Sequence, residues 1–155
     1  MINDKSADSK SAGMVKVFFD LEQVDGFPPV SVESLWAEKN DNGLFKIANI
    51  PFYVMGIALG DEISARLELN GELKFDSLVN SHGHSTIRMV FFELDSRDEL
   101  IRKIEALGCA WEGSHEPSLI AIDVPPSADL SQILSFLSEG FSQDLFDYQE
   151  GAIRE

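Results

Sequence analysis

The sequence predicts an α+β protein, with a small β-barrel-like antiparallel sheet first and a ferredoxin-like βαββαβ half after it. Three observations predict this. Up to residue 82 the chain carries five short stretches rich in β-branched and aromatic residues, separated by turns bearing Gly, Asn and Asp. Beyond residue 82, two stretches with apolar residues at helical spacing alternate with strand-like runs. A hydrophobic content of 44%, with eleven Phe and two Trp in 155 residues, is enough to fill a core.

In the first half, Val15-Lys16-Val17-Phe18-Phe19-Asp20 reads as the opening strand, broken by Asp25-Gly26-Phe27-Pro28-Pro29. Val32 to Glu38 is the second, with Val32, Ser34 and Trp36 on one face. Asn40-Asp41-Asn42-Gly43 is a hairpin turn, because Asn and Gly tolerate positive φ. Leu44 to Ile47 returns as the third strand. Pro51 to Leu59 is apolar without a clean period. Glu62 to Leu69 alternates Ile63, Ala65, Leu67 and Leu69 on one face, turns at Asn70-Gly71, and continues into Glu72 to Val79.

The second half opens with a strand over Thr86 to Leu94. Ser96-Arg97-Asp98-Glu99 has the spacing of a capping box. The helix it starts carries Leu100, Ile101, Ile104 and Leu107, and stops at Gly108. Strands follow over Cys109 to Gly113 and Leu119 to Val124. A second helix begins near Ser127 or Asp129, carries Leu130, Ile133, Leu134 and Leu137, and stops at Gly140. Leu145 to Gln149 is a last short strand. No flexible linker is evident around Asn80-Ser81-His82-Gly83. The expected organisation is therefore a disordered leader at 1–13 and two halves, 14–82 and 83–155, packed together as one unit.

Charge bounds the function. There are 27 Asp plus Glu against 12 Lys plus Arg, a formal net charge of −15. Such a chain repels nucleic acid and anionic membrane and attracts cationic partners. The single cysteine, Cys109, allows no internal disulfide and fits a reducing compartment. No apolar run reaches the roughly 18 residues of a membrane span. The polar N-terminus lacks the apolar core of a secretory signal, so a cytoplasmic location is expected.

Catalytic constellations are sparse. Ser81-His82-Gly83-His84-Ser85-Thr86, with Arg88, is the densest polar cluster. Two His at alternate positions do not complete a metal site, and the remaining one, His115, is distant in sequence. His84 and Ser85 are adjacent, so on an extended chain they point to opposite faces and make a poor base–nucleophile pair. The glycines at 56 and 60 lack the Lys and helix context of a phosphate loop. No cofactor and no metal are expected. Trp36 and Trp111 are core or surface anchors. Asp144, Asp147 and Glu150 load the C-terminal end with charge, where solvation is the ordinary role of any one of them.

Glu33-Ser34-Leu35-Trp36-Ala37, Asn49-Ile50-Pro51-Phe52, Gly60-Asp61, Gly83-His84-Ser85-Thr86-Ile87-Arg88 and Tyr148-Gln149-Glu150-Gly151 occur in one order. This set resembles the bacterial domain-of-unknown-function family DUF4265, over roughly Val15 to Gly151. The resemblance implies a small soluble bacterial protein and brings no activity, cofactor or catalytic residue with it. The matched residues Trp36, Asp61, His84, Ser85, Thr86 and Arg88 are candidates for a shared surface or for structural roles, with Asp61 and Arg88 fixing turns or pairing.

Two functional classes follow. The first is a non-enzymatic acidic binding protein, in its sharpest form an immunity-type inhibitor that neutralises a cationic, nuclease-like toxin domain. Its partner would be a cationic protein, not nucleic acid or membrane. The second is a small-ligand binder or enzyme using Gly83 to Arg88 at the junction of the halves, with Arg88 holding an anion and His84 moving a proton. A regulatory module is a third reading, resting on fold analogy alone.

Overall fold

The computed structural model describes residues 13–155, so all but the last residue of the expected leader lies outside the described residues. The described chain forms two compact units. One comprises the residues up to Asn49 together with Leu59–Ser81, and the other Ile50–Ala58 together with His82–Glu155. The apolar stretch without a period is thus a part of the second unit carried between two strands of the first.

The first unit is a closed five-stranded barrel of β1 (Met14–Asp20), β2 (Val32–Lys39), β3 (Phe45–Ile47), β4 (Glu62–Leu67) and β5 (Leu73–Asn80). Neighbours in sequence pair antiparallel, but the closing seam between β1 and β5 is parallel, at Val17↔Leu73 and Phe18↔Lys74. The expected all-antiparallel sheet is corrected here for a geometric reason. An up-and-down chain with an odd number of strands brings the first and last into the same direction. Val17, Phe19, Leu35, Ala37, Phe45, Ile47 and Ile63 fill the interior. On β2 the inward residues are Leu35 and Ala37, which leaves Trp36 on the outer face. The turn before β3 is as expected, with Gly43 at φ 84° and its N–H on the Asn40 carbonyl at 3.1 Å.

The second unit contains β6 (Ser85–Phe91), a 3-10 turn (Leu94–Ser96), α1 (Arg97–Ala106), β7 (Ala110–Gly113), β8 (Leu119–Val124), α2 (Leu130–Ser142) and β9 (Phe146–Ala152). The strands form a four-stranded antiparallel sheet in the order β7-β8-β6-β9. Alternation puts Ile87, Met89, Phe91, Ile120, Ile122, Val124 and Phe146 on one face. They form one core with Leu100, Ile101 and Ile104 of α1 and Ile133 and Leu137 of α2. Both helices therefore cover the same face of the sheet.

Helix ends separate two roles of glycine. Gly108 ends α1 as expected: at φ 96° it donates to the Glu105 carbonyl, and Cys109 donates to Ile104. Gly140 does not end α2, which runs on to Ser142. The left-handed residue is Asp144, at φ 58°, with Asp144 N–H on Phe141 and Leu145 N–H on Gly140. Gly140 has a packing reason instead, since a Cβ there would sit inside the ring of buried Phe146. The capping box at Ser96 is also absent. Ser96 has helical φ and ψ as the last residue of the 3-10 turn, and its hydroxyl donates back to the Glu93 carbonyl at 3.0 Å. Asp129 does cap α2, accepting from Gln132 N–H at 3.2 Å.

Gly140→Ala is expected to destabilise the protein by about 1–3 kcal/mol through overpacking, read as a lower urea midpoint with an unchanged slope. Asp144→Gly should hold or raise the midpoint, because glycine takes the left-handed conformation without a Cβ penalty. A neutral Gly140→Ala would remove the packing explanation.

Candidate functional site

The sequence candidates fall into distinct places. Trp36 lies on the outer face of the barrel, with Lys16 Nζ 5.2 Å from its ring centroid. Its backbone N–H donates to Asn49 Oδ1 at 2.7 Å, which gives the Asn of the Asn-Ile-Pro-Phe run a structural role. Asp61 is fully buried at the start of β4, and its carbonyl accepts from Ile47 N–H at 2.8 Å. Trp111 on β7 is occupied from two sides: its indole N–H donates to Glu105 Oε2 at 2.9 Å, and the Arg97 guanidinium lies 5.4 Å from the ring centroid.

The polar cluster of the second unit is brought together on the sheet face opposite the helices. Thr86 and Arg88 alternate with the core residues of β6 and so point to that face. The segment Ile50–Ala58 lies against it. Thr86 Oγ1 donates to the Ile57 carbonyl at 3.1 Å, and Ile50 N–H donates to Glu112 Oε2 at 3.2 Å. Arg88, only 7% exposed, is the hub. Its Nη1 donates to the Phe52 carbonyl, and its Nε donates to Gln149 Oε1 at 2.6 Å. Met55 Sδ lies 3.3 Å from Nη2, and the Tyr53 ring centroid 5.7 Å from Cζ. A planar guanidinium suits this arrangement because its donors diverge in fixed directions. Arg154 holds the rim, with Nη1 on the His84 carbonyl at 3.2 Å and Nη2 on Gly56 at 2.9 Å.

His84 does not reach toward Ser85. Its Nδ1 lies 2.8 Å from Oδ1 of buried Asp123, and Ser85 Oγ accepts from Arg154 N–H at 2.8 Å. A carboxylate only accepts, so Nδ1 carries the proton against Asp123. Burial pushes the Asp123 carboxyl above the ordinary aspartate value, against the lowering effect of the His84 hydrogen bond and charge. Burial, with Asp123 adding to it, also pushes the Cys109 thiol up to about 11, which keeps it protonated and unreactive. Asp123 and Gln149 are the members that sequence reasoning missed. Asp123 had a visible signal: a lone acid inside the apolar run Leu119–Val124. Among the described residues, no group of three or more His, Cys, Asp or Glu is placed to hold a metal ion.

The third place is the C-terminal edge. Phe141 is 51% exposed, and its ring meets Tyr148 edge-on, centroids 6.3 Å apart. Phe141, Asp147, Tyr148, Gln149 and Glu150 line an open depression of ≈ 460 Å³. Asp147 and Glu150 are exposed, and so is Asp144, in the turn leading into β9. Between His115 and Arg154 the sequence has no Lys, Arg or His. Neither α2 nor β9 carries a cation of its own. Asp147 and Glu150 thus line one depression, with Asp144 in the turn before the strand, whereas Trp36 and Asp61 belong to the other unit.

A family model described as "Domain of unknown function (DUF4265)" matches residues 33–148. No curated protein matches the chain. A crystal structure described as that of a hypothetical protein from Neisseria gonorrhoeae is similar, with a TM-score of 0.79 and 22% identity over 90% of this chain and 95% of that one. That likeness speaks to the fold.

Two expected outcomes test the polar cluster. Arg88→Ala should cost about 1–3 kcal/mol of stability, because it removes a buried side chain whose charged guanidinium donates to the Phe52 carbonyl and the Gln149 side chain. Arg88→Lys should not restore it, and urea denaturation measures both. An unchanged midpoint for Arg88→Ala would show a guanidinium free for other work. For Asp123 the folded carboxyl binds its proton more tightly than the unfolded one. Its contribution is therefore most favourable at low pH and declines as pH rises through the ordinary aspartate value, about 3.9, and then the raised folded value. Urea midpoints across that range should move in favour of Asp123→Asn, relative to the parent, as pH rises. A parallel pair of curves would contradict the burial cost.

Proposed function

The chain belongs to the DUF4265 family, a family of unknown function, and from that premise we propose a non-enzymatic acidic binding protein that docks onto a cationic protein. In its sharpest form this is an immunity-type inhibitor covering the basic surface of a nuclease-like toxin domain in the cytoplasm. The observation that carries the reading is the depression at Phe141 and Tyr148, flanked by exposed Asp147 and Glu150, in a stretch of chain free of basic residues. An exposed Phe141 ring beside half-buried Tyr148, flanked by carboxylates, offers both halves of what a basic surface binds: charge for encounter and apolar area for retention. The net charge of −15 extends the attraction over the molecule. Among the described residues, no helix is long and apolar enough to cross a membrane. The strand order β7-β8-β6-β9, with both helices on one face, supports reading the second unit as the split-βαβ, ferredoxin-like plan.

The ligand-binding or enzymatic reading of Gly83 to Arg88 has less support. Ser85, Thr86 and Arg88 are buried, and each makes hydrogen bonds to other parts of the unit. The His84–Asp123 pair is the observation in its favour, since His84 keeps part of its ring at the surface.

Association with basic toxin domains encoded next to this gene, followed by stopped-flow fluorescence, tests the proposal. The rate constant should fall at least roughly tenfold between about 0.05 and 0.5 M salt, and toxin activity should be lost on binding. A salt-independent rate, or full toxin activity in the presence of excess protein, would contradict it.

A further inference from the structure

We infer that the partner is held as an added strand: a short extended segment bearing Lys or Arg pairs with the outer edge of β9 over Asp147 to Glu150. This rests on the acidic-surface reading and specifies how the surface is used. The sheet order leaves two edges, β7 and β9. β7 is only four residues long, and Trp111 on it is packed against by Arg97 and Glu105. β9 has seven residues, Phe-Asp-Tyr-Gln-Glu-Gly-Ala, and contains neither Lys nor Pro, the residues that commonly blunt an exposed edge.

The hydrogen-bond phase of the ladder identifies the free groups. Phe92 N–H donates to the Leu145 carbonyl at 3.2 Å, so residues 145, 147 and 149 turn their backbone groups toward β6. Those of Tyr148 and Glu150 face away from it. The outward N–H of Tyr148 is held by Asp147 Oδ1 at 2.8 Å, a side chain standing in for a neighbouring strand. The window is bounded at both ends. Phe146 is fully buried, and beyond Glu150 the Gly151 carbonyl is taken by Gly56 N–H at 2.8 Å.

Charge selects the occupant. An incoming Lys or Arg draws the Asp147 carboxylate off the Tyr148 amide, which frees that amide for the new strand, while Phe141 and Tyr148 receive the segment's apolar side chains. A second copy of this chain paired through the same edge would bring Asp147 and Glu150 of one molecule close to those of the other, and such like-charge pairs are unfavourable. A basic segment meets the opposite condition.

The test uses the full chain and two blocked six-residue peptides alternating Lys and Val, one of them N-methylated at its four central amides. Methylation keeps the charge and removes the donors. The parent peptide should bind and shift the amide resonances of Asp147 to Glu150. The methylated peptide should bind at least tenfold more weakly, and Asp147→Asn with Glu150→Gln should weaken the parent peptide. Equal, salt-sensitive binding of both peptides would overturn strand addition while leaving the acidic reading intact. So would shifts elsewhere, the absence of binding, or a stable dimer by sedimentation that protects the Tyr148 amide.

Discussion

The buried guanidinium of Arg88 is the constraint on which the second unit depends. A cation can leave water only when its donors meet acceptors, and here they reach the Phe52 carbonyl and the Gln149 side chain, with the Tyr53 ring alongside. In meeting that requirement, Arg88 fastens the segment Ile50–Ala58 and strand β9 to the centre of the sheet. Thr86 and Arg154 add hydrogen bonds to the same segment, donating to the Ile57 and Gly56 carbonyls. Ser85, Thr86 and Arg88, which resemble part of a reaction centre in the sequence, are thus occupied in holding the second unit together.

That surface follows from how charge is distributed. The core of the second unit is apolar, so carboxylates on α2 and β9 are driven to the rim. The sequence between His115 and Arg154 carries no cation, so neither α2 nor β9 supplies a basic side chain of its own. Repulsion among the carboxylates costs stability in the free protein, and the proposed cationic partner would relieve it. The exposed edge of Phe141 adds apolar area that water solvates poorly.

Most of the element order was legible in the sequence, because alternation and helical spacing are local. The turn at Gly43 and the stop at Gly108 were legible for the same reason: each needs positive φ, and the neighbouring residues show it. Gly140 was not, since its meaning depends on a ring six residues on that only the folded unit brings against it. Ser96 misled because the capping spacing was present but a preceding 3-10 turn set its backbone to helical angles. The parallel barrel seam is a property of strand number and not of any one strand. At the site, Asp144, Asp147 and Glu150 were singled out for charge alone. The bracing role of Arg88 depended on Gln149 and Phe52, which are far from it in sequence, and no local pattern announces such a partner.

The most direct measurement is an NMR titration of the isotope-labelled chain with an arginine-rich peptide at low salt. Amides from Phe141 to Glu150 should be perturbed, while those of Gly83 to Arg88 stay in place. Perturbation centred on His84 and Arg88, with the β9 edge silent, would contradict docking at that edge.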